Sequence, residues 1–277
     1  MNTGILYVEA SKRELLDKFL LNHPGYFYRM EDGKIDCVRK QQPDPPWFYF
    51  KNGMNQNCQF WHYILFDAIF ERKKVPIYCQ NCWKVVVMPR DLEELFACYA
   101  LLHELNIPGK CGTEGDRPNT DRLYGAYFYN NSLEDGQECY EKVRAAVNRE
   151  KEYEINELGC NIKVKFDKDV PVILKRGCTE FEQACGPSDE WTFDQEQVEL
   201  ERVMQDSFAQ DVVIAKQGDI QKARLFQRWI HNAFQWGDPK YKLFTNGNAM
   251  YPPPVTYHDM DQERYEQVRQ KAKICPR

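Results

Sequence analysis

The sequence predicts an α+β protein: a ferredoxin-like or split βαβ-type α/β sandwich with a C-terminal helical lobe. Three observations predict it. Between residues 76 and 176, short β-branched or aromatic runs (KVVVM, LYGAYFYN) alternate with longer helical stretches (LEELFACYALLHEL, LEDGQECYEKVRAAV). NIKVKF and VPVILK, separated by DKD, read as a hairpin. From Trp191 onward the composition shifts to Glu-, Gln- and Arg-rich helical segments. The chain therefore divides into an N-terminal helix and strand extension (1–75), a central α/β sandwich carrying a cysteine cluster (76–190), and a helical lobe packed on the same domain (191–277).

Each element has its own signal. A helix is predicted from Ser11 through RELLDKFLLN, ended by Pro24-Gly25. YFYRMEDGKIDCVRK reads as two strands around an Asp32-Gly33 turn. QQPDPPWFYFKNGMNQN, rich in Pro, Asn and Gly, reads as a loop. CQFWHYILFDAIFER is a helix whose nearly continuous bulky residues imply burial on most sides. VPIYCQNCWKVVVMP is extended. Asp91 then caps a helix that Pro108-Gly109 stops. KCGTEGDRPNTDR reads as a loop leading into the strand LYGAYFYN, and Ser132 caps the next helix. The predicted order is β-α-β-α-β-β. Beyond it lie helices over TFDQEQVELERVMQDSFAQDVV and DIQKARLFQRWIHNAFQWGD, a proline-rich loop YPPPVTY, and a last helix DQERYEQVRQKAK.

Composition weighs against some classes. Hydrophobic residues make up 43% of 277, enough for a true core, and the net charge of −5 lacks the basic surplus of a nucleic-acid binder. The N-terminus turns charged within a few residues and no apolar run is long enough to span a bilayer, so a cytoplasmic protein without a signal peptide is expected. In a reducing cytoplasm, 11 cysteines point to metal ligands, catalytic thiols or small core residues rather than disulfides. Cys98, inside a helical run, reads as core.

The most concentrated chemistry is CQNCW, with Cys79 and Cys82 three positions apart at the mouth of a strand. A helix crossover between parallel strands would return the chain to the same sheet edge at each turn. That bookkeeping gathers Cys79, Cys82, Cys111 and Cys178 as metal ligands, with Cys160 as the alternative fourth, and brings Cys185 near. Gly109 and Gly112 flank Cys111 and Gly177 precedes Cys178, residues that allow tight backbone approach. Four thiolates suit zinc, which is favoured, or an iron–sulfur cluster. No second C-x2-C and no C-x3-C-x2-C occurs. A thioredoxin-type pair fits less well, because there C-x-x-C opens a helix.

Two further segments carry candidate chemistry. The loop CGTEGDRPNTDR holds Glu114, Asp116 and Arg117, and the turn RGCTEFEQAC holds Cys178, Glu180 and Glu182. Either could supply acid, base or anion-holding groups, and Cys178 could be a nucleophile if a histidine approached it. His62 and His103 read as packed or helix-end groups, and no paired-histidine ligand spacing occurs. Trp229 and Trp236, interleaved with Arg224 and Arg228, could stack bases, but core packing is the default. No phosphate-binding glycine loop is present. The leading expectation is a structural metalloprotein, zinc or iron–sulfur, acting as an interaction or scaffold module that meets a protein partner through its helical lobe. The alternatives are an enzyme with an open three-cysteine site acting on a small anionic substrate, and a single-stranded nucleic-acid binder.

Overall fold

The computed structural model describes residues 3–37, 46–51, 58, 60–157, 161–208, 217–248 and 266. Apart from Glu266, the last predicted helix lies outside the described residues, as does Cys160. The protein mixes helix and sheet around a five-stranded antiparallel sheet. Helix α1 (Thr3–Asn22) begins ahead of the predicted start at Ser11 and stops where predicted, before Pro24 and Gly25. Strands β1 (Tyr26–Tyr28) and β2 (Ile35–Cys37) form the predicted hairpin. β3 (Trp47–Phe50) replaces the predicted loop. A π-helix, Phe60–Ile69, follows, then a 3-10 turn, Ile77–Asn81. Next come β4 (Trp83–Val87), α2 (Leu92–Leu105), β5 (Gly109–Thr113), β6 (Tyr124–Asn130) and α3 (Leu133–Val147). The chain continues through β7 (Glu152–Ile155), β8 (Ile162–Lys165), β9 (Val172–Arg176), α4 (Thr179–Cys185), α5 (Gln195–Asp206) and α6 (Asp219–Gln235).

Local chemistry explains the helix starts. Asp91 accepts a hydrogen bond from the Glu94 amide at 2.9 Å and Ser132 from the Asp135 amide at 3.1 Å, each satisfying an otherwise unpaired N-terminal donor. Asn106, in the left-handed conformation at φ 57°, closes α2 before Pro108.

The sheet runs β3-β5-β6-β4-β9, with every neighbouring pair antiparallel. This corrects three expectations. GKCGT is a strand, although its small and polar residues give it little β propensity. That extra strand adds one reversal, so KVVVM and LYGAYFYN are antiparallel neighbours rather than parallel ones. NIKVKF pairs with EYEI as β7–β8, a separate ribbon, while VILKR is β9 and joins the edge of the main sheet beside β4. The 1–75 segment also enters the central sheet, since β3 pairs with β5, Trp47 opposite Gly112.

Alternation sorts the sheet into two faces. Phe48, Val85, Val87, Cys111, Ala126 and Phe128 face α2, α3 and α6 in the main core. Trp47, Val86 and Tyr127 form a second cluster on the opposite face, with Tyr49 and Tyr129 against it. Helix α6 buries Leu225, Phe226, Trp229, Ile230 and Ala233 in the main core, so it is part of the central structure. Helix α1, the π-helix and α5 share another core built on Leu16, Phe19, Trp61, Leu65 and Met204.

Gly112 shows how closely β3 and β5 approach. A Cβ there would lie 2.2 Å from the Pro46 carbonyl oxygen and 3.0 Å from the Trp47 Cα, both backbone. Gly112→Ala is therefore expected to cost about 1–3 kcal/mol, the usual size of an overpacking defect. Urea unfolding of the variant checks this, and an unchanged midpoint would contradict it.

Candidate functional site: a buried thiol cluster

The 3-10 turn that carries Cys79 and Cys82 is anchored from below by α5. The buried Glu201 carboxylate accepts from the Ile77 amide at 2.9 Å, and Gln197 Nε2 donates to the Val75 carbonyl at 2.7 Å. The Cys82 amide donates to the Cys79 carbonyl at 3.3 Å, closing the turn. β9 then delivers Cys178 to the same end of the sheet. Arg176 stands opposite Trp83 in the register, and the Gly177 amide donates to the Cys82 carbonyl at 2.8 Å. Gly177 has φ +66°, and a Cβ on it would sit 2.3 Å from the Trp191 ring.

Cys79 is buried among Phe66, Val75 and Phe181, with Cys178 and Cys185 packed against that cluster. Phe66 of the π-helix lies 4.3 Å, ring centroid to centroid, from Phe181 of α4. Just upstream of that helix, Cys58 joins the group. Burial pushes its thiol up to about 12, with the Cys178 and Cys82 sulfurs adding to the effect and Lys84 opposing it. Burial likewise raises Cys79 far above the ordinary thiol value, reinforced by Cys178, Cys82 and Cys58. It raises Cys82 too, against the pull of Lys84. All four cysteines are free thiols. Cys178 thus stands close enough to oppose the ionisation of Cys58, Cys79 and Cys82, which come from two other segments.

Lys84, only 6% exposed, projects from β4 into this group, and its Nζ donates to Cys178 Sγ at 2.9 Å. Burial alone would depress its pKa, yet Cys178, Cys82, Tyr129 and Cys58 hold it well above the ordinary lysine value. Lys110 of β5 lies on the same sheet face, 4.3 Å above the Trp47 ring. Burial and the neighbouring Arg117 bring its pKa down to about 8.

The structure brings Cys79, Cys82 and Cys178 together and separates them from Cys111. Cys111 sits in the middle of β5 opposite Phe48 and Ala126, fully buried on the helix-covered face. Burial is the sole cause of its raised thiol pKa. The missed reversal at β5 is why the bookkeeping misplaced it. Gly109 and Gly112 accordingly serve strand packing: a Cβ on Gly109 would meet Leu102 at 2.5 Å. Among the described residues, no group of three or more His, Cys, Asp or Glu side chains is arranged to hold a metal ion.

A polar network borders the thiols. Glu180 accepts from His62 Nε2, from Asn119 Nδ2 at 2.7 Å and from Arg117 Nη2 at 3.2 Å. The His62 hydrogen bond, followed by Asn119 and Arg117, holds the Glu180 carboxyl down to about 2 against its burial. His62 Nδ1 lies 3.5 Å from Asp67. Glu114 is fully buried, accepts from the Tyr127 hydroxyl and has Arg122 at 3.6 Å and Arg117 at 3.9 Å. Glu182 is paired with Lys175 at 2.5 Å, and Asp116 is exposed. The predicted loop and turn candidates Glu114, Arg117 and Glu180 therefore do meet, but their charges are spent on one another. Trp229, a candidate for base stacking, is fully buried and donates from Nε1 to the Pro46 carbonyl at 2.9 Å.

Sequence reasoning missed Cys58, Lys84 and His62 as members of this site. A lone cysteine in an Asn/Gln-rich stretch and a single lysine in a valine strand have no spacing signal. Comparison with protein-family models, with curated proteins and with solved structures found no match. No helix among the described residues is long and apolar enough to cross a membrane.

Proposed function

We propose that the protein is a cysteine-ligated metalloprotein, with zinc preferred to an iron–sulfur cluster, and that it works as an interaction or scaffold module. The ligand set in this reading is Cys58, Cys79, Cys82 and Cys178, with Cys58 in place of Cys111. One observation carries it: the free thiols of Cys79 and Cys178 pack into one cluster, and Cys58 and Cys82 stand near enough that the neighbouring sulfurs add to the burial that raises Cys58 and Cys79. A divalent cation relieves that opposition, because it replaces the thiol protons and supplies the charge the thiolates lack. Four thiolates are the donor chemistry that zinc takes in a tetrahedron, and the four sulfurs do not stand in that arrangement here. Closing the shell draws the thiols inward, so metal binding and local folding are coupled. The metal would then tie the π-helix and the 77–81 turn to the sheet edge, leaving the outer helical faces for a protein partner.

The enzyme reading is less favoured. The carboxylates of Glu180 and Glu182 already accept from histidine, asparagine, arginine or lysine, and Glu114 accepts from Tyr127 through one oxygen. The ferredoxin-like assignment belongs to the same proposal. Its support is the order β5-β6-β4-β9, with α2 linking β4 to β5 and α3 lying between β6 and β9 in the chain.

The test is anaerobic purification followed by metal analysis. One tightly held zinc per chain in colourless protein is expected, lost in Cys79→Ser and Cys58→Ser and kept in Cys111→Ser. A brown protein with sulfur-to-iron charge transfer would identify a cluster at the same residues. A folded wild type that takes up neither would overturn the proposal.

A further inference from the structure

We infer that Cys178 is a site of reversible oxidation: a hydroperoxide converts its sulfur to a sulfenic acid, and a thiol of the Cys79–Cys82 turn then closes a disulfide onto it. The inference goes beyond the reading above and needs no metal. Backbone pairing brings the two partners within bonding reach. Arg176 stands opposite Trp83, and the Gly177 amide donates to the Cys82 carbonyl at 2.8 Å, with Cys178 the next residue along. Facing Cα atoms of antiparallel strands lie about 4.5–5.5 Å apart, and a disulfide spans about 4.4–6.8 Å. Cys178 and Cys79 also line one apolar cluster with Phe66 and Phe181.

Two further observations single out Cys178 as the sulfur that reacts first. Lys84 Nζ donates to it at 2.9 Å, and an ammonium beside a sulfur favours the negative charge that makes it a nucleophile. Cys178 and Cys82 are half-buried, open to a small oxidant, whereas Cys98 and Cys111 are fully buried in the main core.

The Cys178 sulfur attacks one peroxide oxygen, the O–O bond breaks, and the thiol proton leaves with the other oxygen as water. The turn thiol then attacks the Cys178 sulfur. The S–S bond forms, the S–O bond breaks, and the hydroxyl leaves with the turn thiol's proton as a second water. Two thiols give up two electrons and the peroxide takes them. The new bond ties the 77–81 turn to the junction of β9 and α4, and a thiol reductant reverses it.

One equivalent of hydrogen peroxide, added to the full chain as purified, tests this by mass spectrometry. Wild type is expected to lose two hydrogens and to regain them with dithiothreitol. Fragment-ion sequencing of the linked peptides should find Cys178 joined to Cys79 or Cys82, with Cys98 and Cys111 still reduced. In Cys79→Ser/Cys82→Ser the sulfenic acid should persist at Cys178 and be trapped by dimedone. The wild-type measurement decides alone should that variant not fold. An unchanged mass, an oxidised Cys178 that forms no bond to the turn, or a bond elsewhere, such as between Cys79 and Cys82, overturns the inference. Metal content is measured separately on untreated protein, so failure of the metal reading and failure of this one are distinct.

Discussion

Trp229→Ala is expected to lower the unfolding free energy by about 3–5 kcal/mol, at the upper end for a single core truncation. Trp229 is fully buried, and its ring lies 5.4 Å from Phe96 of α2 and 5.3 Å from Phe226 of its own helix. Its indole N–H also satisfies the Pro46 carbonyl at 2.9 Å, at the threshold of β3. One side chain therefore joins α6, α2 and the chain entering the edge strand. Truncation leaves a large cavity and removes the shorter of two hydrogen bonds to that carbonyl, which keeps the Thr113 amide at 3.3 Å, so the cavity is the main penalty. Urea unfolding at neutral pH measures the loss. Trp229→Phe should recover most of the packing but not the hydrogen bond. A loss below about 1 kcal/mol for the alanine variant would show that the ring does not carry the core in this way.

Acid is the second large perturbation, acting through Glu180. Its carboxyl is held down to about 2 from an ordinary 4.5, first by the His62 hydrogen bond and then by Asn119 and Arg117. A depressed folded-state pKa favours the native state only while the group is ionised. The contribution is therefore complete above pH 4.5 and is lost as pH falls from there toward 2. The size is about 3 kcal/mol, from roughly 1.4 kcal/mol per pKa unit, for a side chain only 13% exposed. Glu180→Gln removes this linkage. Its stability should fall less steeply than that of wild type between pH 5 and pH 2, although it starts lower at neutral pH. Parallel slopes in denaturant titrations at stepped pH would rule out the network as an acid-sensitive tie between the π-helix, the 114–122 loop and α4.

Helices were legible where local chemistry alone decides them. Asp91 and Ser132 cap the helices that the sequence predicts, and Pro108-Gly109 follows the end of α2. The strands KVVVM and LYGAYFYN were equally plain, because β-branched and aromatic residues suit a pleated surface. WFYF and GKCGT were not. The first is embedded in proline and asparagine, and the second has glycine at two of five positions. Each becomes a strand through pairing with a partner distant in sequence, Trp47 with Gly112 and Lys110 with Tyr127.

The same limit governed the site. The pairing of Cys79 with Cys82 is a local spacing, whereas Cys178 arrives beside them because β9 pairs antiparallel with β4, a pairing absent from the predicted NIKVKF–VPVILK hairpin. Cys111 was lost because the unseen strand β5 placed it in mid-sheet on the opposite face. Cys58 and Lys84 were invisible because a cysteine or lysine takes its meaning from what faces it, and Cys178, which both meet, lies 94 residues beyond Lys84.

The amino-acid sequence by itself determined the α+β character, the capped helices and the C-x2-C turn, since these depend on residues within a few positions of one another. Tertiary structure alone decided the strand order and the faces of the sheet. It also decided which thiols meet, and that a buried lysine stands against one of them. Those outcomes are set by long-range pairing and by the low-polarity interior, where each buried charge must find its partner across the fold.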